Sequence, residues 1–430
     1  DVTVYGSGES TAKAKVNNAD VGAVSVGVMV GVAVAAGQFD AQFATSGTVN
    51  VGSIDIDNIY SSIANADVDP ATGGVQISGG NVEVNTAVAV NTTRANTGIL
   101  GDPENKGTVA KINATGTVDV EATGKVLANA KVNTPFLAVN IASLVANQVI
   151  AVAKAEQNTT IEDVDLTALS VNVRSVLNNK DTTSQDPDDD GFLGASAVVA
   201  TGAKWTDGNS VSVNLLNLNS NVAVADFDAT NMASIDNAIL SAGDSITVEN
   251  NSSSYAVGNV IGGSGLNFYS AVVTVVNADA NGTFGSTITN SKGIKAKNLT
   301  TRTGYKAHAN ATSASNGVRA SVANVSTNQS YAFVAPPVSS GVSGTGTVDV
   351  GSDEEGDSQT SSNGNITIQV DGTATAKAQF LKPLLELNGL SLAINVAKAE
   401  LQGTQTAFAN GMEFNASGDM TVQSNFNESI

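Results

Sequence analysis

A short strand-like phrase returns four times along this chain: Val2-Thr3-Val4, Val118-Asp119-Val120, Ile246-Thr247-Val248 and Ile366-Thr367-Ile368, spaced 116 to 128 residues apart. A small-apolar segment follows each one, thirty residues after Val2, Ile246 and Ile366 and thirty-four after Val118. These segments are Val32-Ala33-Val34-Ala35, Val152-Ala153-Lys154-Ala155, Val276 to Ala280 and Val396-Ala397-Lys398-Ala399; the second and fourth share VAKAE outright. Self-similarity at near-constant spacing marks a repeat array, which overrides the three globular domains that length alone suggests. The repeats are 1–117, 118–245, 246–365 and a partial fourth, 366–430, expected to form one continuous body.

The residues inside each repeat favour strands. Segments of period two recur between turns rich in Gly, Asn, Asp and Ser, and no helical periodicity is sustained. The apolar fraction is 41% but aromatic residues are only 4%, so the core is built from Val, Ala and Ile, which suits closely approaching backbones. The expected fold is therefore all-β, a right-handed parallel β-helix, with a string of β-sandwiches as the alternative. Coils of roughly 20 residues, stacked about 4.8 Å apart, would give a body on the order of 100 Å long. In that arrangement Val32, Val34, Val152, Val276 and Val396 point inward. The strands after the small-apolar segments, at 47–51, 169–173, 293–296 and 418–422, are expected to be equivalent to one another. The longest apolar run, Val21 to Gly37, alternates Val with Gly or Ala and is too short for a transmembrane helix, so it reads as a doubly buried strand pair. Three Asp-Pro-x-x-x-Gly turns start at Asp69, Asp102 and Asp186, and together with an acidic insertion at Gly351–Gly364 they are expected on one side of the body.

Net charge is −20, which disfavours nucleic acid and anionic lipid and favours divalent cations and basic partners. Asp186, Asp188 and Asp190 follow the D-x-D-x-D-G pattern of a calcium loop, but Ala197 stands at the twelfth position where a bidentate acid belongs. They form the single candidate metal site, for calcium; a solvated turn is the competing reading. Asp353, Glu354, Glu355 and Asp357 read as a solvated acidic loop. There is no cysteine, and the one histidine, His308, sits at an alternating position expected to face outward. The chain thus lacks the groups for thiol, triad or zinc chemistry, and no catalytic residue and no other cofactor is expected. A two-carboxylate carbohydrate-active β-helix enzyme remains an alternative.

The alternation of VGAVSVGVMVGVAVA with Ala-x-Ala-Lys segments (Ala12 to Asn17, Ala128 to Asn133, Thr375 to Phe380) resembles the large repetitive adhesins of Gram-negative bacteria. It is most similar to the fusobacterial leukotoxin-type filamentous adhesins, relatives of filamentous haemagglutinin. The resemblance spans essentially the whole chain. It implies a right-handed parallel β-helix, export across the outer membrane and a role in adhesion or surface filaments; it implies no catalytic residues. The expected function is a structural and adhesive segment of an extracellular bacterial surface fibre, with a self-assembling filament subunit as the alternative. Its partners would be neighbouring repeats or subunits end to end, and a receptor or glycan on a host or neighbouring cell, with no membrane span in this segment. Because Val2 opens directly in a strand phrase and the fourth repeat is partial, polymerisation through uncapped ends is expected.

Overall fold

A computed structural model of the chain describes residues 1–17, 22–69, 75–102, 109–134, 137–184, 191–201, 211–262, 264–315, 318–351, 364–382 and 385–429. The described residues contain strands and no helix, and the strands pair in parallel within three sheets, an arrangement consistent with a β-solenoid. Sheet A runs from Val2–Asn17 through Ile54–Asp69 and Thr117–Thr134 to Ile366–Leu381 and Met420–Ser429. Sheet B has the longest strands, among them Gly22–Ala44, Val75–Leu100, Leu137–Glu162 and Val211–Asp236. Sheet C is short and includes Thr48–Val51, Ala110–Ala114 and Val164–Ala168. The chain visits A, B and C in turn, and each circuit adds one rung to every sheet.

Register sets the size of a circuit. Val2 lies opposite Ile54, Ile54 opposite Val118, Val118 opposite Val171 and Val171 opposite Ile246, so successive circuits take 52, 64, 53 and 75 residues. The ladder continues through Leu299, Ile366 and Met420. The four opening phrases therefore share one ladder, with a second circuit interposed between each pair. Coils of roughly 20 residues are ruled out: strands here run up to 28 residues. At about 4.8 Å per step, the seven steps from Val2 to Met420 span only about 35 Å along the axis, a wide, short body where a long thin one was expected.

The interior divides by side-chain size. Where all three sheets meet, Ile, Val and Leu stack upon themselves: Val49, Ile112, Leu166, Leu240, Ile294 and Val348 line sheet C, and Ile99, Ile161, Ile235 and Ile288 face them from sheet B. Where only A and B face each other, the ladders are alanine. Ala12, Ala64, Ala128, Ala195, Ala256, Ala309 and Ala376 run through sheet A. Ala33, Ala89, Ala151, Ala225, Ala278, Ala332 and Ala399 run through sheet B. Short side chains let the two sheets approach closely: a Cβ on Gly258 would lie 2.7 Å from the backbone oxygen of Asn277.

This closeness overturns the expected orientation of the valines. Val276 is fully buried, but Val32, Val34 and Val396 are 52%, 59% and 50% exposed, and Val152 is only half-buried. The narrow slot takes the alanine of each Val-Ala pair and turns the larger valine out. Val21 to Gly37 is likewise no buried strand pair. Its described part lies in one strand, Gly22–Ala44, whose valines at 24, 26, 28 and 30 face solvent.

Two further expectations are corrected. Thr48–Val51 and Gly293–Ala296 belong to sheet C, whereas Ser170–Leu177 and Met420–Ser429 belong to sheet A, so those four segments are not equivalent. The insertions also fall at different corners: after Asp69 between A and B, after Asp102 between B and C, after Leu177 within a rung of sheet A, and after Gly351 between C and A. The corner from B to C is built by Asp163, Asn237 and Asn290 at φ 58°, 48° and 52°, a left-handed turn that Asx residues tolerate. Asn237 donates to the Asp163 carboxylate, and Asn290 Nδ2 donates to Asp236 Oδ1 at 2.8 Å, so the corners are stitched rung to rung.

Candidate functional site

Sheet B is longer than sheet A, and its leading half has a polarity opposite to the rest of the molecule. Inward side chains there are amides and hydroxyls. Ser78 Oγ donates to Asn140 Oδ1 at 2.6 Å, Asn140 Nδ2 to Asn214 Oδ1 at 3.1 Å, and Asn214 Nδ2 to Asn267 Oδ1 at 2.9 Å. A parallel ladder joins Asn85, Asn147 and Asn221 at 2.9 and 2.8 Å. Each amide accepts from one rung and donates to the next, so stacking satisfies buried groups that would otherwise be costly. The outward side chains of the same strands are aliphatic and aromatic.

A groove of about 730 Å³ crosses these strands on the outer face. Its walls are two apolar columns: Val139, Val213, Leu266 and Leu387 on one side, and Ile141, Leu215, Phe268 and Val322 on the other. The second wall arises from a local shift in alternation. Asn140 and Ser143 are both buried, leaving Ile141 and the following Ala142 between them, and the same pair recurs as Leu215-Leu216 and Phe268-Tyr269. Ile141, Leu215, Phe268 and Tyr269 are 62%, 49%, 56% and 54% exposed. Because the shift falls at one register on successive strands, it makes a groove parallel to the stacking axis.

Beyond this apolar area, sheet B carries charge. Asp226 lies directly opposite Asp279, and Asp228 is two residues further along the strand. Burial, then the neighbouring Asp228, push the Asp226 carboxyl up, while Lys154 opposes them; burial, then Asp226, push Asp279 up. These acids form no group of three or more metal-ligating residues, and none exists among the described residues.

The sequence candidates distribute as follows. Asp186, Asp188 and Asp190, the candidate calcium ligands, lie outside the described residues, as do Asp353, Glu354, Glu355 and Asp357. His308 does sit on the outer side of sheet A, but it is buried, which corrects its expected exposure. The stretch between Leu177 and Gly194 covers that region: Phe192 packs with Tyr255 and Val257, and the Tyr255 ring meets the His308 ring edge-on at 6.1 Å. Burial first, and Lys377 second, lower the His308 pKa to about 4, so the imidazole is neutral at physiological pH; its Nδ1 has no hydrogen bond. Asn91, within a glycosylation triplet, is fully buried between sheets, donating to the backbone oxygens of Ser62 and Leu127 at 2.6 and 2.9 Å.

Aromatic residues are used inside the body. Tyr60 stacks on Phe39 at 4.9 Å and donates to Gln157 Oε1 at 2.8 Å, and burial raises its pKa. The next rung must be glycine there: a Cβ on Gly124 would lie 2.3 Å from the Tyr60 hydroxyl oxygen. Tyr305 lies over Gly372 in the same way, its pKa pushed up to about 12, chiefly by burial. These rings fill the interior and leave no aromatic platform there for a sugar.

The apolar groove and face were missed at the sequence level. Their signal was present in the doublets Leu215-Leu216 and Phe268-Tyr269 flanked by asparagines, which break strict alternation. No family model, no curated protein and no solved structure matches this chain. No helix among the described residues is long and apolar enough to cross a membrane.

Proposed function

We propose that this chain is a structural and adhesive segment of an extracellular bacterial surface fibre, folded as a right-handed β-solenoid whose repeat of about 120 residues is a pair of circuits. The observation that carries this reading is the unbroken ladder from Val2 to Met420, in which each rung is held by the same backbone register and the same stacked side chains. Such a body extends by repetition, because the groups that bind one rung to the next are available at any free strand edge. Val2–Asn17 and Met420–Ser429 each pair on one side only, so a neighbouring repeat or subunit adds there by the same hydrogen bonds. Outward side chains are free to vary without disturbing the ladder, which suits display of contact surfaces to a receptor or glycan on another cell. The candidate calcium role of Asp186, Asp188 and Asp190 remains part of this proposal as an accessory site.

The test uses intact cells of the source organism. Antibody against residues 1–430 is expected to label filaments on unpermeabilised cells, and beads coated with the chain are expected to bind host or neighbouring cells. Labelling that requires permeabilisation, or beads that bind no better than albumin-coated ones, would remove the proposal.

A further inference from the structure

On the outer face of sheet B, four adjacent columns begin at Val24, Val26, Val28 and Val30 and run across seven strands. None of their outward positions holds a charged residue, in a chain of net charge −20. The second column shows the character: Val26, Val82, Leu144, Leu218, Val325 and Leu392, all between 38% and 70% exposed. Seven strands about 4.8 Å apart, each contributing about eight residues of length, make a face on the order of 900 Å². That exceeds the scattered apolar exposure of an ordinary surface and matches the roughly 800 Å² that each partner contributes to a stable protein interface.

We propose that this face pairs with the same face of a second copy of the chain, sheet against sheet. The inference stands apart from the adhesive role. The strands cannot relieve the exposure by turning over, because the opposite side chains are the locked Asn ladders through Asn140 and Asn147. The apolar side is therefore the outer one by construction, and burial has to come from outside the circuit. A second copy fits on two counts. Elsewhere the acidic surfaces repel one another, and this is the broad area where two copies meet without charge. A sheet face of aliphatic columns is also self-complementary, since two such faces stack about 10 Å apart with interdigitating side chains. Polar groups rim the patch one column further on, at Asp226, Asp279 and Glu400, as they do around protein interfaces.

Sedimentation of the full chain from about 1 to about 100 μM tests this, expecting a concentration-dependent dimer. Leu144→Lys with Leu218→Lys, both at exposed positions, is expected to weaken association at least about 100-fold while leaving the melting temperature in place. Gln38→Lys, outside the patch on the same sheet, is expected to leave association unchanged. Because the chain has no cysteine, Leu218→Cys reports directly: a short bis-maleimide is expected to join two copies through Leu218→Cys and not through Thr230→Cys. End-to-end association survives the lysine substitutions and gives no such cross-link, so the two modes of assembly separate. A wild-type monomer across the whole range overturns the proposal. So does association that persists in the lysine variant without a cross-link at position 218, or a monomer that floats with neutral phosphatidylcholine vesicles.

Discussion

On the outer face of sheet A, the column through Tyr5 reads Asp57, Glu121, Arg174, Glu249 and Arg302; on the outer face of sheet B, the column through Val26 reads Val82, Leu144, Leu218, Ala271 and Val325. Both face outward on strands of one parallel ladder, so backbone geometry does not distinguish them. What differs is the side that the opposite residues must serve. Behind the sheet A column lie the apolar ladders of the core, which leaves the outside free to be charged. There Arg174 meets Glu121 at 3.4 Å, an exposed pair contributing no more than about 1 kcal/mol. Behind the sheet B column lie hydrogen-bonded amides, and the apolar residues have been moved outside. A parallel stack thus tolerates either polarity, provided each inward column is consistent from rung to rung.

The largest effect should come from the two sides of one strand. Ala225 is fully buried between the sheets and Val224, its neighbour, faces outward. Ala225→Leu is expected to cost on the order of 3 kcal/mol by overpacking the slot, read from denaturant unfolding, whereas Val224→Lys should cost less than about 0.5 kcal/mol. Equal costs would mean that the narrow alanine slot is not the constraint. An intermediate effect is expected from surface probes. Leu144→Thr and Leu218→Thr together should reduce binding of a hydrophobic dye several-fold, and Ile59→Thr, a lone exposed apolar residue on sheet A, should leave it unchanged.

The smallest effect concerns charge at the margin of the apolar face. Asp226 and Asp279 have folded-state pKa values raised above the ordinary carboxylate value. Their ionised forms therefore weaken the fold at neutral pH, and the penalty is relieved as pH falls through the folded-state pKa. Asp226→Asn and Asp279→Asn should each raise the melting temperature by about 1–2 °C at neutral pH and match the wild type near pH 3. A gain that persists in acid would assign the effect to packing.

Strand content and the parallel ladder were legible because Val-x-Val phrases and period-two alternation are local signals. Val2, Val118, Ile246 and Ile366 do share one column. The interposed circuits were not recognised, although Ile54-Asp55-Ile56 resembles Val118-Asp119-Val120, because the search was anchored on the longer period. Side assignment failed at Val32 and Val396 for a different reason. When Val alternates with Ala, both faces are apolar and pattern alone carries no direction; the separation of the sheets, a tertiary quantity, decides. His308 was misjudged because a segment more than a hundred residues earlier covers it. The outer apolar face went unread because apolar residues were assumed to lie inside, which holds only where the circuit itself supplies the burial.

The circuit length also bears on how such a chain acquires its structure. Each strand's hydrogen-bonding partners lie 52 to 75 residues away, since the ladder runs Val118 to Val171 to Ile246, and the described strands pair in parallel rather than as hairpins. The first circuit must close long loops before it gains a single rung, which makes nucleation slow. Every later circuit docks on an edge already formed, so growth is fast once begun and proceeds outward from the nucleus. For a chain delivered end first, the order of delivery then becomes the order of assembly, and each completed rung draws the following segment onto itself.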